Sequence, residues 1–202
     1  MYTNHRLEPL ELPGADLRLA SAWLPPDDAD ALFSELHAAI PWECHRIRMF
    51  GREVDSPRLS CWIGDPDAVY TYSRTRFTPH PWPDALRPLR ARLEDELGPA
   101  FNSVLANLYR DGRDRMGWHS DDEPELGPRP VIASISLGAT RRFSLKPRAG
   151  GAALALDLAH GSLLVMAGDT QARWRHALSS TARPVGPRIN LTFRRVLGAA
   201  SG

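Results

Sequence analysis

Lysine is almost missing from this sequence: Lys146 is the only one among 25 basic residues, the rest being arginine. The formal net charge is +1, so the overall balance does not advertise a polyanionic partner, and an arginine bias follows from codon composition as readily as from a selected phosphate surface. Cysteine is nearly as scarce. Cys44 and Cys61 stand 17 positions apart with no partner motif, which argues against a cysteine zinc site and reads as two reduced thiols. No run of about 18 apolar residues exists, and Met1–Leu10 carries His5, Arg6 and Glu8 where a secretion signal needs an apolar stretch. These absences predict a soluble, cytoplasmic protein with no membrane association. With 202 residues, 43% of them hydrophobic, and no repeat or long linker, one domain over residues 1–202 is expected.

Proline and glycine, by contrast, are plentiful at 18 and 15, which suits many short turns and a β-rich chain. A first helix is predicted with Asp27 or Asp28 as N-cap and an apolar face of Leu32, Leu36 and Ile40. A second runs from Asp84 to Leu97 on the stripe Leu86, Leu89, Leu93 and Leu97, with Pro88 near its first turn and Gly98 ending it. Residues 45–80 alternate short strand-like runs with turns at Asp55-Ser-Pro57 and Gly64-Asp-Pro66. Strands are then expected at 101–109, 131–138, 141–146, 153–158, 162–166 and 188–196. The fold class is therefore mostly β with flanking helices (α+β): helices and a ribbon region in 1–98, an all-β sandwich or barrel in 99–198.

Strand faces carry the first hint of chemistry. Period two puts Arg188, Asn190, Thr192 and Arg194 on one side of their strand and Ile189, Leu191 and Phe193 on the other. Asn107 and Tyr109 likewise share a face, opposite Leu108. These two strands alone leave open whether the polar faces meet solvent or line a pocket. His119 and Asp121, two apart, leave an extended chain on the same side and can share one ion; with one further histidine they make the two-histidine, one-carboxylate set that leaves positions free on non-haem iron(II). His160, before Gly161, reads as a turn residue. His176, 12 residues before Arg188, has the order used by 2-oxoglutarate enzymes and is the preferred third ligand. His5, His37, His45 and His80 read as surface or structural.

Taken together, Asn107-Leu-Tyr-Arg-Asp-Gly112, Trp118-His-Ser-Asp-Asp-Glu123, Ile132-Ala-Ser-Ile-Ser-Leu-Gly138, His160-Gly-Ser-Leu-Leu164, Trp174-Arg-His176 and Pro187-Arg-Ile-Asn-Leu-Thr-Phe-Arg194 resemble the AlkB family of nucleic-acid repair dioxygenases, and most of all its duplex-DNA branch. The resemblance spans residues 46 to 196. It implies a double-stranded β-helix (jelly-roll) core with a nucleotide-recognition β-ribbon. It also implies iron(II) on His119, Asp121 and His176, and 2-oxoglutarate at Asn107, Tyr109, Arg188, Asn190, Thr192 and Arg194. It further implies O2 as co-substrate and a wedge loop at Phe50, Gly51 and Arg52. Tyr70 and Tyr72 fall where the extruded base is held, and Asp122 where an acidic residue faces it. The implied activity is oxidative dealkylation of N-alkylated bases in DNA by a monomer, releasing formaldehyde, succinate and CO2. An RNA base or a protein side chain is the alternative substrate. Two departures are visible: Tyr72 replaces the branch's phenylalanine, and the loop Pro147–Ala153 is shorter and less basic.

Overall fold

The computed structural model describes residues 5–49, 52–72 and 75–197, with side chains described outside 47–54 and 70–77. In chain order the elements are β1 (Glu8–Pro9), β2 (Asp16–Ala20), α1 (Pro26–Ala39), β3 (Arg46–Met49), β4 (Arg52–Asp55), β5 (Leu59–Gly64), β6 (Tyr70–Tyr72), β7 (Thr75–Phe77), α2 (Leu86–Leu97), β8 (Ser103–Tyr109), β9 (Met116–His119), β10 (Ile132–Gly138), β11 (Arg141–Pro147), β12 (Leu154–Leu158), β13 (Ser162–Ala167), α3 (Thr170–Arg173), β14 (Trp174–Leu178) and β15 (Arg188–Arg194). A seven-stranded antiparallel sheet in the order β1-β2-β13-β10-β15-β8-β5 faces a four-stranded one in the order β12-β11-β14-β9, the jelly-roll arrangement. β3–β4 and β6–β7 form two separate ribbons.

The outer face of the large sheet is covered by the helices. Leu32 and Leu36 of α1 and Leu86, Leu89 and Leu93 of α2 share one buried cluster with Ile135, Leu163, Leu191 and Phe193, as the periodicities require. The helix starts differ from expectation. Pro25 is the N-cap of α1 with Pro26 at its first position, so Asp27 and Asp28 lie inside the first turn, where their carboxylates complement the helix N-terminus without capping it. α2 begins at Leu86, two residues after Asp84, and ends at Gly98 with φ 90°, a conformation that only glycine adopts cheaply.

Between the sheets the lining changes character from one end to the other. At the β2 and β13 end it is apolar: Leu17, Leu164 and Met166 pack with Leu145, Leu158 and Trp174. Towards β10, β15, β8 and β5 the inward positions become Ser134, Asn190, Thr192, Asn107, Arg58 and Ser60, while their neighbours Ala133, Ile135, Leu191, Ala106 and Cys61 point into the helix-covered core. One end of the sandwich is a core and the other a polar cavity. Among the described residues, no helix is long and apolar enough to cross a membrane.

Candidate active site

The cavity encloses about 110 Å³. β9 and β14 are paired so that His119 and His176 stand directly opposite, with ring centroids 4.2 Å apart. Asp121 follows two residues later, its N–H donating to Gln171 Oε1 at 2.9 Å. The His119 Nε2–Asp121 Oδ1 and His176 Nε2–Asp121 Oδ2 separations are 3.7 and 3.9 Å, too long for hydrogen bonds. The three side chains converge without satisfying one another, and their donor atoms lie within 4.8 Å of each other, as for groups meant to share an ion.

Protonation suits the same role. His119 Nδ1 lies 2.8 Å from the Gly117 carbonyl, which can only accept, so Nδ1 carries a proton and Nε2 is the ring nitrogen turned towards Asp121. Burial, followed by the neighbouring His119, pushes the His176 pKa down to about 3, which keeps that ring neutral and its lone pair free. Burial works to raise the Asp121 pKa, but Arg194 leads a set of opposing charges that hold it at about 2. A neutral imidazole at His176 and an anionic carboxylate at Asp121, with His119 turned towards them, suit the binding of a divalent ion.

Arg188 is the second informative group. It is 2% exposed. Its Nη2 donates to Ser136 Oγ at 2.9 Å, its guanidinium lies 5.3 Å from the Tyr109 ring centroid, and its Nε has no partner. Burial lowers its pKa to about 10, so it remains cationic at neutral pH, with no carboxylate against it among the described residues. A buried, unpaired cation costs several kcal/mol, and a bound anion would remove that cost. At the other end of β15, Arg194 Nη2 reaches Asp121 Oδ2 at 3.4 Å. Between them Asn190 Nδ2 donates to Ser134 Oγ (2.8 Å) and the Ile135 carbonyl (3.1 Å), and Thr192 Oγ1 donates to Asn190 Oδ1 (3.2 Å). The wall thus runs from a guanidinium that faces no carboxylate among the described residues to the His119–Asp121–His176 cluster, the layout that a dicarboxylate chelating an ion at one end would need.

The polar faces read from sequence, with Asn107 and Tyr109 beside β15, all line this cavity. His160 does not: its Nδ1 accepts from the Gly138 N–H at 2.7 Å and its Nε2 is 3.2 Å from Asp30, a turn role. Asp122 is placed outside the cavity lining, half-exposed and ion-paired to Arg148. Phe50 and Gly51 lie outside the described residues. Arg52, Tyr70 and Tyr72 are placed on β4 and β6, but their side chains fall outside the description. Arg58 escaped the sequence reading. It is buried on the cavity wall, its Nε donating to Asn107 Oδ1 at 2.6 Å and its Nη1 to Ser56 Oγ at 3.1 Å, and its charge also helps hold Asp121 anionic. Its signal was present: Arg58, Ser60 and Trp62 alternate with Leu59, Cys61 and Ile63, the same pattern as on β15. His45, read from the sequence as surface or structural, lines the cavity instead, and so does Glu123.

Comparisons with known proteins agree with this geometry. The 2OG-Fe(II) oxygenase superfamily matches residues 16–194. "Alpha-ketoglutarate-dependent dioxygenase alkB homolog 3" of Homo sapiens is 41% identical over 179 residues, covering 84% of this chain and 62% of that protein. "DNA oxidative demethylase ALKBH2" of Mus musculus is 39% identical over 181 residues, covering 84% of this chain and 76% of that protein. This chain therefore spans a little under two thirds of the first relative's length. The solved structure of OsALKBH1 superposes with a TM-score of 0.61 at 20% identity, over 94% of this chain and all of that one, which supports the fold. The His119–Asp121–His176 cluster, the polar wall beside it and the sequence likeness lead to one assignment: the chain belongs to the 2OG-Fe(II) oxygenase superfamily and, within it, to the AlkB homologues.

Proposed function

We propose that this protein removes alkyl groups oxidatively from N-alkylated bases in DNA, acting as a monomer in the cytoplasm. The observation that carries the reading is the continuous wall from a buried guanidinium without a counter-ion to the His119–Asp121–His176 triad. Two relatives bear names stating that use of 2-oxoglutarate or that substrate class. Bound iron(II), with 2-oxoglutarate and O2, supplies an oxidant able to hydroxylate a C–H bond, with succinate and CO2 as co-products.

The chain's own residues do the rest. The Gly117 carbonyl and the β9–β14 pairing fix the two imidazoles; Phe143, stacked at 5.3 Å on His176, keeps water from that side of the ring. Arg188 takes the far carboxylate of the co-substrate, and Arg58 holds Asn107 in place beside it. Hydroxylation of a methyl on a base nitrogen gives a hemiaminal, which releases formaldehyde and the restored base. A base inside a duplex must leave the stack to reach the cavity, which is easiest for a lesion that pairs badly.

The test is formaldehyde release from oligonucleotides carrying 1-methyladenine or 3-methylcytosine, single- and double-stranded, with and without 2-oxoglutarate, beside a methylated RNA and a peptide. Release from DNA that requires 2-oxoglutarate is expected. Succinate formation stimulated only by RNA or by peptide would replace the DNA reading.

A further inference from the structure

The outer face of the four-stranded sheet, opposite the cavity side, carries an arrangement that the reaction above does not use. On β11, Arg142, Ser144 and Lys146 alternate outward from Arg141, Phe143 and Leu145, and Lys146 is register partner to Arg175 on β14. On β9, Trp118 directly precedes the ligand His119 and is 42% exposed. Lys146 Nζ lies 4.3 Å from the Trp118 ring centroid. β14 lies between β11 and β9 in this sheet, so the Lys146–Trp118 contact spans it. Charge on this face is uneven. Arg142 is paired with Asp157, and Arg148 with Asp122; Lys146 and Arg175 have no carboxylate partner among the described residues. The chain's single lysine thus orients an exposed indole beside the metal site, with an unpaired arginine next to it.

We propose that this face binds the single-stranded DNA flanking the target nucleotide, Trp118 stacking on an unpaired base while Lys146 and Arg175 meet phosphates. The proposal rests on the DNA reading above. An aromatic plane set among unneutralised cations matches the two repeating features of a single strand, a π-face and a charge per nucleotide. A chain of near-zero net charge needs such a local patch to hold a polyanion.

Two variants test it: Trp118→Ala, with iron content measured because of its neighbour, and Lys146→Glu/Arg175→Glu, which lies outside the cavity lining. Formaldehyde release is compared on a methylated trinucleotide and a methylated single-stranded 15-mer, and binding of an unmodified 15-mer is titrated separately. Both variants should raise KM for the 15-mer about tenfold, in the range of one lost base stack. The double variant should leave trinucleotide turnover within about twofold and flatten the salt dependence of 15-mer binding. Unchanged 15-mer KM and binding in the double variant, or an equal loss on both lengths in either variant with iron retained, would overturn the proposal. If wild type releases formaldehyde from no DNA, the function reading falls, while the binding titration still decides this face: no binding, or binding that neither variant weakens, removes it.

Discussion

Single side chains here act through what they lack. His119, Asp121 and His176 face one another without hydrogen bonds, an arrangement that an ion between them would complete. His119→Ala, Asp121→Ala and His176→Ala should each abolish one-to-one iron(II) binding and turnover, whereas His160→Ala should keep both, because His160 serves a backbone N–H at Gly138. Metal analysis after dialysis checks this, and full iron occupancy in any of the first three would remove that residue from the ligand set. Arg188 lacks a carboxylate, so Arg188→Ala should weaken 2-oxoglutarate by about 2–4 kcal/mol, the range for losing a buried charge-assisted contact. Affinity for DNA should hardly move. An unaltered KM for 2-oxoglutarate in that variant would show that the anion binds elsewhere.

At the level of elements, legibility followed periodicity. α1, α2 and the strands β8, β10, β11, β12, β13 and β15 were readable from a leucine stripe, from alternation or, as in β13, from a short apolar run bounded by turns. The short α3, β1 and β9 were not, and neither were β2 and β14. Trp174-Arg-His-Ala-Leu178 mixes one outward arginine with residues buried on both faces, so no clean alternation marks it, and Asp16–Ala20 carries its pattern on only two buried positions. The His119–His176 apposition depends on that unseen strand, and so the sequence could nominate the triad but not its geometry. Gly138 shows how an element end controls the site. It closes β10 opposite Arg188 with φ 82°, and a Cβ there would meet the Pro187 carbonyl at 2.4 Å. Gly138→Ala should therefore cost about 2 kcal/mol or more and displace the start of β15, weakening 2-oxoglutarate while sparing iron. Denaturant midpoints and co-substrate titration read the two effects. A variant of wild-type stability would mean that this turn does not constrain the strand.

For the whole molecule, the site and the fold are in tension. A protein that buries a guanidinium with no carboxylate against it among the described residues gives up stability in the ligand-free state, and a binder of the folded form returns it by mass action. At about 100 times its dissociation constant a ligand adds roughly 2.7 kcal/mol. For a chain of this size that corresponds to a rise in Tm of about 5–10 °C. Adding 2-oxoglutarate with a redox-stable divalent ion should produce such a shift without any turnover. Arg188→Met removes the charge while filling much of its space, so its ligand-free Tm should lie at or above that of wild type, and the co-substrate should no longer raise it. The comparison separates a binding arginine from a structural one. A structural arginine would leave Arg188→Met several degrees less stable than wild type and still responsive to 2-oxoglutarate, and that pair of results would remove the anion-binding role from the centre of this fold.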